Sequence, residues 1–172
     1  NKKESKGLIK ITVALIFVFS IIIVGTLASG VYNEASNYIK YDGGSKTTQR
    51  MDAAITAMQN DIDENNVTDL KLFNGFNAGG YLEFKGYTTY IDARADSFVE
   101  EANHDFDYLT EYFNISDGKK NYKKVFDKYD FNYAFIEKSS EKPLYVNLKS
   151  DKDYKLIFKN KEYAVFKKIN QN

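Results

Sequence analysis

An apolar run at residues 8–29, LIKITVALIFVFSIIIVGTLAS, dominates this sequence, and its only charged residue is Lys10, near its start. About 20 apolar residues are enough for a helix to cross the hydrocarbon core of a bilayer. The apolar part of a cleaved signal peptide is shorter, about 7–15 residues, although the small residues at 27–30 would suit a cleavage site. We therefore expect a retained transmembrane helix rather than a cleaved signal peptide.

The N-terminal side of this run is basic. Four lysines occur up to its first turn, against the single acid Glu4. By the positive-inside rule, residues 1–7 are a cytoplasmic flank and the chain after the run is extracytoplasmic. We therefore predict a cell-membrane location. The chain starts with Asn1 rather than methionine, so we expect a processed product or a piece of a longer protein.

Composition limits the function classes. The whole chain balances 24 basic against 24 acidic residues, and residues 31–172 carry 20 against 23. Because there is no basic surplus, nucleic acid is not an expected partner. The chain has no cysteine, which excludes disulfides and thiolate metal sites, and its one histidine, His104, cannot form a histidine cluster. We expect no cofactor and no metal, and we interpret His104 as a solvated or capping residue.

Residues 30–46 contain a glycine pair and predict a juxtamembrane connector to an extracytoplasmic domain at residues 47–172. An amphipathic helix is expected at the start of this domain, because apolar residues recur there at helical spacing. These residues are Met51, Ile55, Met58 and Ile62. Thr47 or Thr48 is expected to cap the helix.

Strand and helix patterns alternate in the rest of the chain. Strands are expected at residues 70–73, 88–92 and 131–138, and helices between residues 97 and 129, with a break at 116–118, and again around Pro143. Residues 154–168 predict a β-hairpin that turns near Asn160. Helical crossovers favour parallel strands. We therefore predict a small α/β domain whose mixed sheet has parallel central strands and ends in an antiparallel hairpin.

The stretch at residues 73–96, FNGFNAGGYLEFKGYTTYIDARAD, combines a Phe-Asn pair, a Gly-Gly-Tyr-Leu motif and an Asp-x-Arg-x-Asp triplet. In this order it resembles the start of the extracytoplasmic C-terminal domain of bacterial polytopic membrane proteins of the GT-C glycosyltransferase type. The resemblance covers about residues 48–168, with the apolar run in the place of the last membrane span. It departs at Ala93, where glycine is usual, and at Phe84, where tryptophan is frequent.

The resemblance implies an accessory domain that is not catalytic by itself, because the catalytic carboxylate of those enzymes lies in an early loop that this chain lacks. Whether the parent protein is an enzyme stays open. The implied partners are the lipid bilayer, a lipid-linked sugar or glycan acceptor, and the remaining membrane spans of the parent protein. The alternative is a membrane-anchored interaction module of the cell envelope with no enzymatic role.

Seven residues of this stretch are candidates for a ligand site or a structural network: Asn74, Gly79, Gly80, Tyr81, Asp92, Arg94 and Asp96. The glycines suit either a phosphate cradle or a tight turn with close helix–strand packing. The alternating triplet would point to one side of a strand end, to bind a cation or a sugar hydroxyl or to form an internal salt-bridge network. We favour the structural interpretation, in which the stretch joins the first two strands.

A second candidate is a basic face beside the Gly118 break. It consists of Lys119, Lys120, Lys123 and Lys124. These lysines suit contact with anionic lipid headgroups, and the alternative is an ordinary solvated face.

Overall fold

The structure is a computed structural model that describes residues 13, 15–31, 45–104 and 106–169. The chain divides into two compact units, residues 1–44 and residues 45–172. The predicted cytoplasmic flank, residues 1–7, and most of the predicted connector, residues 30–46, lie outside the described residues.

The described part of the first unit is helix α1, residues 15–31, with residue 13 also helical. Its apolar side chains are exposed, with Phe17 and Phe19 both at 67%. In the described part of the chain, no helix combines the length and the apolar character that crossing a bilayer requires. The predicted span at residues 8–29 includes residues 8–12 and 14, which the structure does not describe.

The second unit begins with helix α2, Lys46–Glu64. The predicted apolar stripe is confirmed, since its four residues are buried together with Ala54. The predicted cap is wrong, because Ser45 is the N-cap and its side chain accepts a hydrogen bond from the backbone N–H of Thr48 over 3.2 Å. Ser45 is in extended conformation, which is typical of an N-cap residue that precedes the first helical turn.

Four strands of the described residues form one mixed sheet, which confirms the predicted mixed sheet. The strands are β1 (Leu72–Asn74), β2 (Tyr133–Glu137), β3 (Tyr154–Lys159) and β4 (Tyr163–Lys168). Their order in the sheet is β1-β2-β4-β3; β1 and β2 pair in parallel, and β4 is antiparallel to both β2 and β3. The predicted parallel arrangement of the central strands is wrong, because the central pair, β2 and β4, is antiparallel. The hairpin β3–β4 confirms the predicted chain end, with a register shift between Leu156 and Phe158.

Both faces of the sheet are covered by helices. Tyr133 and Phe135 of β2 point to the face that packs against α2, whereas Ala134 and Ile136 point to the opposite face. Because successive strand residues face opposite sides, a strand that is buried on both sides needs a continuous apolar run. This explains why residues 133–136 were readable as a strand.

Between β1 and β2 the chain forms helices α3 (Phe76–Phe84), α4 (Glu100–Asn103), α5 (Tyr108–Ser116) and α6 (Tyr122–Lys128), and a 3-10 turn at Ala95–Ser97. Helix α7, Lys142–Ser150, follows β2 and has Pro143 in its first turn, as predicted. The predicted break between α5 and α6 is also confirmed, with Gly118 at a φ of 72°. His104 ends α4 in a left-handed conformation and is exposed, which agrees with a solvated capping role.

The predicted strand at residues 88–92 is wrong, because this segment forms no helix or strand. The backbone N–H of Tyr90 donates to Oδ1 of Asn74 over 2.8 Å, and the carbonyl of Ile91 accepts from Nδ2 of Asn74 over 2.6 Å. The Asn74 side chain thus takes the place of a neighbouring strand. The stretch at residues 73–96 therefore joins β1 to α3 and to an extended loop, not two strands.

Candidate functional site

The glycine motif lies inside α3, so the predicted turn at Gly79 and Gly80 is wrong. A Cβ atom at Gly79 would lie 2.1 Å from the carbonyl oxygen of Ile91, whereas at Gly80 it would meet nothing within 4 Å. Gly79 therefore permits close packing of the helix on the following loop. Gly80 is exposed on the outer side of the helix.

Tyr81 connects α3 to α2. Its hydroxyl donates to Oδ1 of Asp52 over 2.9 Å, and Nζ of Lys85 lies 2.9 Å from the same oxygen. The hydrogen bonds from Lys85 and from Tyr81 lower the pKa of Asp52, although burial of the carboxyl acts in the opposite direction. This group holds two helices together.

Arg94 forms an ion-pair network with two acids. Its Nε lies 2.9 Å from Oδ2 of Asp92, and its Nη2 lies 2.9 Å from Oε1 of Glu83. The Asp92 side chain is 2% exposed and that of Arg94 67%. Hydrogen bonding to Arg94 lowers the pKa of Asp92, although burial opposes this. The guanidinium group thus neutralises a buried carboxylate from its solvent side.

Asp96 does not join this network. It lies in the 3-10 turn, is exposed and makes no ion pair with another described residue. The Asp-x-Arg-x-Asp triplet is therefore not one set on one side of a strand. Five of the seven candidates thus make structural contacts, whereas Gly80 and Asp96 are exposed. None of the seven lines the two cavities described below.

Glu141 is a buried carboxylate that the sequence did not single out. It precedes α7 and is fully buried. Its Oε1 accepts from the hydroxyl of Tyr112 and its Oε2 from the backbone N–H of Glu137, each over 2.6 Å. Burial raises the pKa of Glu141 to about 7, although both hydrogen bonds act in the opposite direction.

A polar cleft of about 650 Å³ lies where the α5–α6 connection and the start of α6 meet the end of α7. We call it the lysine cleft, because Lys119, Lys120, Lys123 and Lys152 line it. Neutral polar residues also contribute to its lining, namely Asn121, Asn147 and Ser150. The cleft brings together side chains from two helices and the turn before β3.

The wall of the lysine cleft is held by Asp151. This residue accepts hydrogen bonds from the hydroxyl of Tyr122, from Nζ of Lys123 and from the backbone N–H of Asp153. Burial opposes ionisation of Asp151, but the bonds from Tyr122, Asp153 and Lys123 lower its pKa. Burial and the contact with Asp151 raise the pKa of Tyr122. Asp151 is therefore an ionised and fully engaged structural group.

A second cavity of about 470 Å³ adjoins the lysine cleft and shares Lys123 and Asp153 with it. Its remaining lining combines apolar and charged side chains: Phe126, Asp127, Tyr154, Lys168 and Ile169. The pair of cavities thus offers a cationic part next to a part with aromatic surface.

The groups of the lysine cleft suit binding better than chemistry. Its acids are engaged by lysine, tyrosine or backbone donors, so none is placed as a general base. In the residues that the structure describes, no three His, Cys, Asp or Glu side chains come together as they would to hold a metal ion.

Part of this site was readable from the sequence. Lys119, Lys120 and Lys123 belong to the predicted basic face, whereas Lys124 lies outside the cleft lining. Lys152 and Asp151 were missed. The Asp151-x-Asp153 pair is too short a motif to indicate a site, and its contact with Tyr122 spans 29 residues of sequence.

Comparisons with protein families, with curated proteins and with solved structures find no match to this chain. The resemblance to GT-C glycosyltransferases therefore stays a prediction, and function has to be inferred from the residues and their geometry.

Proposed function

We propose that this chain is a membrane-anchored accessory protein or fragment, in which residues 8–29 span the bilayer and the α/β unit, residues 45–172, lies outside the cytoplasm. In this proposal the α/β unit does not catalyse a reaction by itself. It binds a lipid-linked sugar or a glycan acceptor for a membrane-embedded glycosyltransferase-like protein, and the lysine cleft is its binding surface.

The main observation in favour of a membrane anchor is the apolar surface of α1. Apolar side chains are exposed at residues 15–19 and 21–24, and successive helical residues point about 100° apart, so apolar groups surround the helix. The hydroxyls of Ser20, Thr26 and Ser29 donate to helix carbonyls three or four residues earlier, over 2.8–2.9 Å. A polar group in lipid must be satisfied internally, and these three are.

The binding role is supported by the lysine cleft and the contacts around it. Polar donors of the cleft are exposed, whereas its acids are engaged by neighbouring groups. Such a surface attracts anions and hydrogen-bond acceptors and has no free base of its own.

The second candidate function is the cell-envelope interaction module without an enzyme. It is favoured by Phe84 on α3, which is 79% exposed beside the open surface at Gly80. An exposed aromatic side chain of this kind is frequent in protein contact surfaces.

The test of the anchor is protease treatment of intact spheroplasts that express the chain with a C-terminal epitope. We expect loss of the epitope without lysis, while a cytoplasmic control protein stays intact. Protection of the epitope until the membrane is lysed would contradict the proposed orientation. The coding sequence upstream of Asn1 separates the two functions, since further spans with an acidic first outside loop favour the glycosyltransferase-like parent.

A further inference from the structure

We propose that the lysine cleft binds the phosphate group of a phosphomonoester, with Lys120 and Lys152 as the two cations that meet its charge. This inference concerns the same cleft and goes beyond the binding role proposed above, because a lipid-linked sugar carries a phosphodiester or a diphosphate rather than a phosphomonoester. Its test uses a detergent-solubilised chain and needs no membrane orientation, so the two proposals can fail separately.

Two of the four lysines of the cleft are paired with acids. Nζ of Lys119 lies 2.8 Å from Oδ2 of Asp117, so that lysine is already neutralised. Lys123 is paired as well, at 3.0 Å from Oδ2 of Asp151 and 2.9 Å from Oδ2 of Asp153.

The other two lysines of the lining, Lys120 and Lys152, form no ion pair with another described residue. Each keeps its own positive charge, but Lys123 shares one charge between Asp151 and Asp153, so the four lysines and the aspartates at 117, 151 and 153 leave a net charge of +1. A phosphomonoester carries about 1.5–2 negative charges at pH 7, and Lys120 and Lys152 are the two cations that meet this charge.

The acids of the cleft do not compete for these two lysines. The oxygens of Asp151 accept from Tyr122, from Lys123 and from the N–H of Asp153, and its side chain is 6% exposed. Asp153 itself pairs with Lys123. The negative charge of the wall is thus screened by donors, while both free ammonium groups stay available to a ligand.

Neutral donors complete the cleft. Oδ1 of Asn121 accepts the backbone N–H of Lys123 over 3.0 Å, so its Nδ2 is the group available to an acceptor such as phosphate. The volume of about 650 Å³ exceeds a phosphate alone and lies in the range of small-molecule sites. The ligand therefore carries an organic group, for which Phe126 and Tyr154 of the adjoining cavity provide a surface.

The test is lysine footprinting of the full chain in neutral detergent micelles, with an amine-acetylating reagent and mass spectrometry. Inorganic phosphate, glucose 6-phosphate and glucose are the probes. At ten times its Kd, glucose 6-phosphate is expected to slow acetylation of Lys120 and Lys152 about tenfold, because few sites stay empty. Lys124 and Lys149 are the internal controls, since both are exposed lysines outside the lining. Equal protection of all four lysines, or protection by glucose, would overturn the proposal.

Matched variants give a second measurement. One double variant combines Lys120→Gln with Lys152→Gln. The control double variant combines Lys124→Gln with Lys149→Gln and removes the same charge from exposed positions. Titration calorimetry with glucose 6-phosphate should show Kd raised at least about tenfold in the first pair and less than about twofold in the second. An equal rise in both would mean that only the general charge of the surface matters, against the proposed site.

Two parallel experiments distinguish a lipid headgroup from a soluble ligand as the bound phosphomonoester. The chain is reconstituted in phosphatidylcholine nanodiscs with or without phosphatidic acid, whose headgroup is a phosphomonoester. Protection of Lys120 and Lys152 by phosphatidic acid alone identifies a lipid headgroup, and protection by soluble glucose 6-phosphate alone identifies a soluble ligand. Protection in neither experiment overturns the site. A failed membrane anchor would leave the micelle footprint unchanged.

Discussion

The hydroxyl of Tyr112 donates a 2.6 Å hydrogen bond to Oε1 of Glu141 in the interior of the α/β unit. The same Tyr112 oxygen accepts the backbone N–H of Phe76, at the start of α3. This chain of bonds connects α3, α5 and the beginning of α7. No cation pairs with Glu141 among the described residues, so its charge is balanced only by hydrogen bonds.

Stability should therefore depend on the protonation of Glu141. Burial raises its pKa from 4.5 to about 7, so between these values the folded carboxyl keeps a proton that the unfolded chain loses. The free energy of unfolding is expected to fall by about 3 kcal/mol as the pH rises from 4.5 to about 7. Above this range the titration of Glu141 should cause no further decrease.

The variant Glu141→Gln tests this dependence, because it keeps a carbonyl acceptor and cannot ionise. Denaturant unfolding of the full chain in micelles between pH 5 and 8 should show a flatter profile than the parent chain. Glu100→Gln, at an exposed position, should leave the slope unchanged. Identical slopes for Glu141→Gln and the parent would rule out this role of Glu141.

The two neighbouring glycines of α3 should respond in opposite ways to alanine. Gly79→Ala places a Cβ atom 2.1 Å from the Ile91 carbonyl oxygen and 2.7 Å from Cα of Asp92, so the loop backbone has to move. We expect a loss of about 1–3 kcal/mol. Gly80→Ala meets open space in a helix and should raise stability by up to about 1 kcal/mol. Thermal unfolding of both variants checks the difference, and a harmless Gly79→Ala would contradict the close packing.

Arg94→Ala should destabilise the α/β unit more than loss of an ordinary surface pair. The buried Asp92 would keep only the backbone N–H of Arg94, at 2.8 Å, and lose its counter-charge. We expect a loss of about 1–3 kcal/mol. The stability of Arg94→Lys should lie between that of the parent chain and that of Arg94→Ala, since lysine keeps the charge but cannot make the two-pronged contact. Asp96→Ala, at an exposed position, should change stability by less than about 0.5 kcal/mol. Parent-like melting of Arg94→Ala would show that the network does not stabilise the fold.

A charge in the middle of the apolar run should weaken membrane insertion. Val18→Lys places a cation on α1 among exposed apolar side chains. At the centre of a membrane helix this costs about 2.5–3.5 kcal/mol. Alkaline carbonate extraction should then release part of the chain from membranes, whereas Val18→Leu should stay in the pellet. Equal retention of both would weigh against a membrane-spanning role.

Elements with local patterns were predictable. The stripe of α2, the apolar run of β2 and the two alternating runs of the hairpin repeat at the periods of helix and strand. The backbone hydrogen bonds of α2 are made within the helix itself. Those of β2 are made with neighbouring strands, and β2 carries apolar residues on both of its faces. Pro143 and Gly118 likewise indicated element ends, because each restricts or extends the backbone conformations of its own residue.

Long-range contacts decided the rest. Residues 88–92 have strand composition, yet the backbone groups of Tyr90 and Ile91 bond to the side chain of Asn74, 16 and 17 positions earlier. Gly79 and Gly80 are poor helix formers, and their helix exists because Gly79 packs on the Ile91 backbone and Leu82 is buried.

In the lysine cleft, too, one part was predictable from local sequence and another part depends on long-range contacts. Three of its lysines are neighbours in sequence, so a basic face was visible, but its depth comes from Lys152 and Asp151 on the turn after α7. The Tyr122–Asp151 contact joins residues 29 positions apart. The sequence by itself determined the segments with a regular apolar period, namely α2, β2 and the hairpin β3–β4, because helix and strand hydrogen bonds repeat at short, regular intervals. Only the tertiary structure decided which side chains share a cleft, because packing on two faces of one sheet brings distant segments together.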